Sequence, residues 1–128
     1  MEMPPRILIV DDDPTIRDLS RLHLGNAGYD VDVAPDAMVA GHMVLRSPPD
    51  LIIVDVNMPH MDGFEFVAAL RADTSVPRMP VIFLTSEEEG EYRGRDLGAA
   101  GYIIKPVRVE RLLALVAQCV PGGMHPIG

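Results

Sequence analysis

Four short apolar runs in this chain end on residues able to do acid, metal or phosphoryl chemistry. After Ile7-Leu8-Ile9-Val10 come Asp11, Asp12 and Asp13, and after Leu51-Ile52-Ile53-Val54 comes Asp55. After Val81-Ile82-Phe83-Leu84 come Thr85 and Ser86, and after Tyr102-Ile103-Ile104 come Lys105 and Pro106. Carboxylates gathered at one edge repel each other, and a cation relieves the repulsion. Mg²⁺ takes oxygen ligands, commonly one or two carboxylates with waters and phosphate oxygens. A carboxylate can also serve as nucleophile and become an aspartyl phosphate. Lys105 would then meet phosphoryl oxygens as a point charge, and the Thr85 hydroxyl would donate a further hydrogen bond. The set therefore reads as a metal-using phosphoryl-transfer site.

Taken singly, each residue has an ordinary explanation. Asp13 stands before Pro14 and reads as a helix cap. Asp11 and Asp12 could be solvated loop acids, Thr85 a strand-end hydroxyl and Lys105 a surface lysine. Their joint placement, each at the carboxyl end of an expected strand, outweighs these readings, because open α/β sheets bind ligands at that edge.

The elements that would position them are legible as a pattern. The strand-length runs are Ile7 to Val10, Tyr29 to Ala34, Leu51 to Val54, Val81 to Leu84 and Tyr102 to Ile104. Runs apolar at nearly every position suit strands buried on both faces of a parallel sheet. Helical periodicity lies between them. Ile16, Leu19, Leu22, His23 and Ala27 would share one face, with Phe64, Val67, Ala68 and Arg71 forming a second stripe and Leu112, Leu113, Val116 and Val120 a third. Gly28 marks the end of the first helix, Pro48-Pro49-Asp50 the end of the second, and Pro77 to Pro80 the approach to the fourth strand. Strand and helix alternate five times, which predicts an α/β sandwich around a parallel sheet.

The chain has 128 residues, 48% of them hydrophobic, with no Trp and a formal net charge of −8. That length suits one domain, residues 1–128, with a core over about 6–120 and a frayed tail over 121–128. The acidic balance and the lack of a basic stripe argue against direct nucleic-acid binding. The single cysteine, Cys119, sits in an apolar helical run and reads as a buried structural thiol. A lone thiol fits a reducing compartment, and no apolar stretch reaches the roughly 18 residues of a membrane span. With no signal-peptide pattern at Met1 to Val10, a cytoplasmic protein without membrane partners is expected.

The chain resembles the receiver domains of two-component response regulators, the CheY-like superfamily. The resemblance runs from Arg6 to about Val120. It rests on Ile7 through Pro14, on Pro49 through Pro59 with Asp55 inside it, on Met61-Asp62-Gly63, on Pro80 through Thr85, and on Gly98 through Pro106. It implies a (βα)5 flavodoxin-like fold with strand order 2-1-3-4-5 and helices on both faces, an order for which this superfamily is itself a standard example. It implies that Asp55 accepts phosphate from a histidine kinase or phosphotransfer protein. Asp12, Asp55 and the Asn57 backbone carbonyl would ligate Mg²⁺, with Asp11 acting through a metal-bound water. Thr85 and Lys105 would engage the phosphoryl group, Tyr102 would swing inward as Thr85 moves, and the Lys105-Pro106 bond would be cis. Asn57 and Glu87 would tune how fast water removes the phosphate, as in motility and chemotaxis regulators. Output would pass to a downstream protein at the face of the fourth helix, fifth strand and fifth helix. The chain would be a phosphoacceptor that catalyses its own phosphorylation and dephosphorylation, not an enzyme acting on a separate substrate.

Some positions depart from the family pattern. Gly41 stands where the second helix usually carries a large apolar residue, Gly90 and Gly94 fall in the expected fourth helix, Ser86 replaces Ala, and Val107 replaces Phe. Two rival functions share parts of this pattern, and a receiver cut from a larger protein would read the same way. Asp11-Asp12-Asp13-Pro14-Thr15 looks like the nucleophile motif of haloacid-dehalogenase phosphatases with Asp11 as nucleophile, but Val107 to Gly128 offers only Glu110 for that family's later acids. A flavin-binding module would need a hydroxyl-rich phosphate loop where this chain has three acids.

Overall fold

In the structure, a computed structural model, residues 3–86 and 96–120 are described. The elements run β1 (Arg6–Val10), α1 (Pro14–Asn26), β2 (Asp30–Ala34), α2 (Ala37–Arg46), β3 (Leu51–Asp55), α3 (Gly63–Ala72), β4 (Val81–Thr85), β5 (Gly101–Ile104) and α4 (Val109–Cys119). Here α4 is the fifth helix of the expected alternation. The segment expected to carry the fourth, with Glu87, Gly90 and Gly94, lies outside the described residues. All five strands are parallel and ordered β2-β1-β3-β4-β5, as the resemblance implies.

Alternation along the strands builds two cores, one on each face. Leu8, Val10, Ile52, Val54, Val81 and Phe83 point to the face covered by Ala40 and Val44 of α2 and by Phe64, Phe66 and Val67 of α3. Ile7, Ile9, Leu51, Ile53, Ile82 and Leu84 point to the other, under Leu24 of α1 and Leu112 and Val116 of α4. Each fully buried Ile or Leu contributes roughly 1.5–3 kcal/mol, and the sum lets the sheet tolerate polar burial at its edge.

Punctuation residues act as expected. The Asp13 side chain caps α1 by accepting from the Thr15 N–H at 2.9 Å, with Pro14 in the first turn. At the far end Gly28 takes φ 102°, and the Tyr29 N–H donates to the Leu24 carbonyl at 3.1 Å. Two helical stripes differ from expectation. In α1, Leu22 is 57% exposed and the buried residues are Ser20 and Leu24. In α3, Ala68 faces solvent and Phe66 is buried. Both differences have one cause: a stripe chosen by hydrophobicity alone can be rotated by one residue, and the sheet geometry selects the face. Cys119, expected to be buried, is half-buried, with its Sγ 3.8 Å from the Ala100 carbonyl, and burial pushes its thiol pKa up.

The loop between β3 and α3 contains a strained residue. His60 has φ 71°, and the Met61 N–H donates to the Pro59 carbonyl at 2.8 Å across it. This is a γ-turn centred on a left-handed non-glycine residue, a strained arrangement. Left-handed strain of about 1–2 kcal/mol, less the unfolded-chain entropy that glycine adds, predicts that His60→Gly stabilises by about 0.5–1 kcal/mol. A urea midpoint that does not rise would show that the His60 ring makes contacts offsetting the strain.

Candidate functional site

The strand order reverses direction beside β1, so the helices after β1 and β3 leave on opposite faces and open a crevice at the carboxyl edge. Asp11 follows β1 there, and its N–H donates to the Ala34 carbonyl of β2 at 3.1 Å. Asp55 is the last residue of β3, opposite Leu84 in register. Thr85 ends β4 and is buried, and its carbonyl accepts from the Lys105 N–H at 2.7 Å, which fixes the start of the loop after β5. The Lys105-Pro106 bond is cis, as the resemblance implies.

These side chains converge. Asp11 and Asp55 are 0% and 1% exposed. The Lys105 Nζ lies 3.2 Å from Asp55 Oδ2 and 3.5 Å from Asp11 Oδ2. Asp12 is exposed at the mouth, and Asp11, Asp12 and Asp55 each offer an oxygen within 4.8 Å of the others. Local backbone holds the remaining oxygens. The Asp13 N–H donates to Asp11 Oδ1 at 2.9 Å, and the Asn57 N–H donates to Asp55 Oδ1 at 3.1 Å. Arg17 ties the Asp11 carbonyl at 2.8 Å and anchors the loop to α1. Asp11 Oδ2 is buried without a hydrogen-bond partner.

An all-oxygen set of three carboxylates, in which the buried Asp11 Oδ2 has the Lys105 ammonium at 3.5 Å but no hydrogen bond, fits a hard divalent cation. Asp11, Asp12, Asp55 and Lys105 are thus brought together, with Thr85 at the adjoining strand end. Tyr102, on β5, is half-buried, and its ring lies against Phe83 with centroids 6.2 Å apart. Asn57 is anchored through its backbone, and Glu87 lies outside the described residues.

The titration behaviour follows from this packing. Burial raises the Asp11 pKa from 3.8 to about 6, with the Asp55 charge adding to the rise and the Asp13 N–H and Lys105 opposing it. For Lys105, burial lowers the pKa, but the Asp11 and Asp55 carboxylates outweigh it and hold it above 10.5. Lys105 therefore stays charged through neutral pH, and its contribution is lost as pH rises from 10.5 through its raised folded-state pKa. Asp11 acts differently. Its folded-state carboxyl holds the proton more tightly than the unfolded chain does, so the metal-free protein loses stability as pH rises from 3.8 to about 6. At 1.36 kcal/mol per unit the loss is about 2–3 kcal/mol. Asp11→Asn should remove that loss, so the stability difference between variant and wild type in EDTA should grow across this window and level off above it. A difference that is flat with pH would contradict the burial argument.

Gly63 is a site residue that sequence reasoning passed over. It opens α3 directly against the end of β3. A Cβ there would lie 2.4 Å from the Asp55 carbonyl oxygen and 3.0 Å from the Val56 Cα, and the Gly63 N–H donates to the Val56 carbonyl at 2.9 Å. Its place in Met61-Asp62-Gly63 was visible, but the close approach to Asp55 was not.

A doubly wound parallel α/β domain with three acids and a lysine at its switch point defines the class. A sequence profile of the response regulator receiver domain matches residues 7–117, and the chain belongs to that family. It is 42% identical over 114 residues to the DNA-binding dual master transcriptional regulator RpaA of Synechocystis, covering 88% of this chain and 47% of that protein. It is 40% identical over 113 residues to the response regulator MprA of Mycobacterium leprae, covering 87% of this chain and 49% of that protein. The chain spans about half the length of these curated relatives. Among solved structures, Vibrio cholerae chemotaxis protein CheY4 superposes with TM-score 0.85 at 37% identity, covering 91% of this chain and 99% of that one. A CheY-like receiver domain protein of Methanospirillum hungatei superposes with TM-score 0.81 at 32% identity, covering 90% of this chain and 92% of that one. The chain is thus a receiver domain of two-component signalling. Among the described residues, no helix is long and apolar enough to cross a membrane.

Proposed function

We propose that this receiver accepts a phosphoryl group on Asp55 in a Mg²⁺-dependent reaction and presents a changed surface to a downstream protein. The carrying observation is the gathering of Asp11, Asp12 and Asp55 oxygens within 4.8 Å, with Lys105 on two of them. An Asp55 carboxylate oxygen attacks the phosphorus of a phosphohistidine on a histidine kinase or phosphotransfer protein. The new oxygen–phosphorus bond forms as the phosphorus–nitrogen bond breaks, and the electron pair returns to the donor imidazole. Asp12, Asp55 and the Asn57 carbonyl would hold Mg²⁺, with Asp11 acting through water, and the ion would neutralise charge on carboxylates and phosphoryl oxygens.

Lys105, already 3.2 Å from Asp55, meets the incoming charge, and the Thr85 hydroxyl donates to it. Phosphorylation adds about two negative charges at this point, which biases an existing equilibrium of Thr85 and Tyr102. The output face is that of the expected fourth helix, which lies outside the described residues, together with β5 and α4, where Ile104 is exposed and Arg108 and Arg111 stand beside the strand. A protein partner suits that surface better than nucleic acid, given the net charge of −8. The lone thiol of Cys119 suits the cytoplasm.

The test incubates the protein with Mg²⁺ and acetyl phosphate and reads intact mass. One phosphoryl adduct per chain is expected, lost in EDTA and lost in Asp55→Asn. An adduct of equal yield in EDTA would contradict the metal-dependent reading.

A further inference from the structure

The mouth of the site holds one side-chain contact that phosphoryl uptake leaves unused. The Asn57 Nδ2 donates to the Ser86 Oγ at 3.1 Å. Both residues are exposed, one just beyond β3 and the other just beyond β4. They are neighbours because β3 and β4 pair directly, with Asp55 opposite Leu84. Asn57 is also held at its backbone, where its N–H reaches Asp55 Oδ1 at 3.1 Å. Its side chain is thus rooted at the phosphoacceptor and tethered across the crevice to the residue after Thr85. A solvent-facing amide without such a tether would spread over several rotamers.

Resting on the phosphoacceptor reading of Asp55, we propose that Ser86 is a positioning residue. Its hydroxyl holds the Asn57 amide at the mouth of the site and thereby shortens the lifetime of the phosphoryl group. With Nδ2 engaged by Ser86, the Asn57 Oδ1 is left to accept a hydrogen bond from a water entering opposite Asp55. In hydrolysis the water oxygen forms a bond to phosphorus and the bond between phosphorus and the Asp55 oxygen breaks. Its electron pair stays on the Asp55 carboxylate, and the proton of the water leaves with inorganic phosphate. Fixing the acceptor beforehand removes part of the ordering cost from the transition state. Loss of this neutral hydrogen bond should slow hydrolysis by about fivefold, or ~1 kcal/mol.

The experiment loads the protein with acetyl phosphate and Mg²⁺, removes the donor, and follows phosphoryl loss by mass. Ser86→Ala should lose phosphate about fivefold more slowly. Ser86→Thr, which keeps a hydroxyl, should restore the wild-type rate. In an Asn57→Ala background, Ser86→Ala should have no further effect, because the hydroxyl acts through the amide. Loss that is unchanged or faster in Ser86→Ala, failure of Ser86→Thr to restore the rate, or simple additivity with Asn57→Ala would each overturn the positioning role while leaving phosphorylation of Asp55 intact. A wild-type protein that takes up no phosphoryl group would overturn the phosphoacceptor reading and this proposal together.

Discussion

Lys105→Met should destabilise the metal-free protein by about 3 kcal/mol, and Mg²⁺ should recover most of that loss. The ammonium faces Asp55 Oδ2 at 3.2 Å and Asp11 Oδ2 at 3.5 Å, and those side chains are 2% and 0% exposed. Removing one partner of a buried ion pair leaves an uncompensated charge, at about 3–5 kcal/mol. The low end applies because the Lys105 side chain is itself 23% exposed, so water already shares in its solvation. Proton uptake limits the penalty further. Lys105 holds the Asp11 pKa down, so its loss drives that carboxyl above about 6 and towards neutrality. A divalent cation supplies the missing positive charge in the same place. The measurement is urea unfolding of wild type and variant, each in EDTA and in Mg²⁺. The variant should gain more stability from Mg²⁺ than wild type does; equal gains would mean that metal and ammonium do not share the same carboxylates.

Gly63→Ala should destabilise the domain by about 2 kcal/mol or more and also impair phosphoryl uptake. The added Cβ would sit 2.4 Å from the Asp55 carbonyl oxygen and 3.0 Å from the Asp55 carbonyl carbon. Both are backbone atoms, so no side chain can swing aside, and either α3 or the end of β3 must shift. A shift of β3 moves the Asp55 carboxylate, and a misplacement near 1 Å can lower a rate by about a hundredfold. Gly25→Ala is the control. That position, inside α1, has nothing within 4 Å of an added methyl group, so the change should stabilise by about 0.5–1 kcal/mol through helix propensity and unfolded-chain entropy. Equal stability of the two variants would contradict the close-approach argument.

The strands were legible because burial on two faces leaves a strong trace. Leu51-Ile52-Ile53-Val54 and Val81-Ile82-Phe83-Leu84 have no polar position, and both lie inside the sheet. β2 alternates acid and valine because it is an edge, with Asp30 exposed. Helix faces were less legible. Leu22 and Leu24 are both leucines, and only the sheet decides that Leu24 is buried. At the site, Asp11, Asp55, Thr85 and Lys105 could be found as first polar residues after apolar runs. Gly63 and Ser86 could not be assigned roles in that way. The first acts through a backbone approach, and the second through a bridge between strands that are neighbours only in the folded sheet. His60 in a left-handed turn is equally silent in the sequence, since positive φ is uncommon for any non-glycine residue even though histidine is enriched there.

Chemical trapping can locate the phosphoryl group and so decide whether Asp55 is the acceptor. After loading with acetyl phosphate and Mg²⁺, borohydride reduces an aspartyl phosphate to homoserine, and peptide mass spectrometry reads its position. Homoserine at position 55, absent from unloaded protein, is the expected outcome. Homoserine at position 11, with Asp55 unmodified, would contradict that assignment and favour Asp11 as the nucleophile.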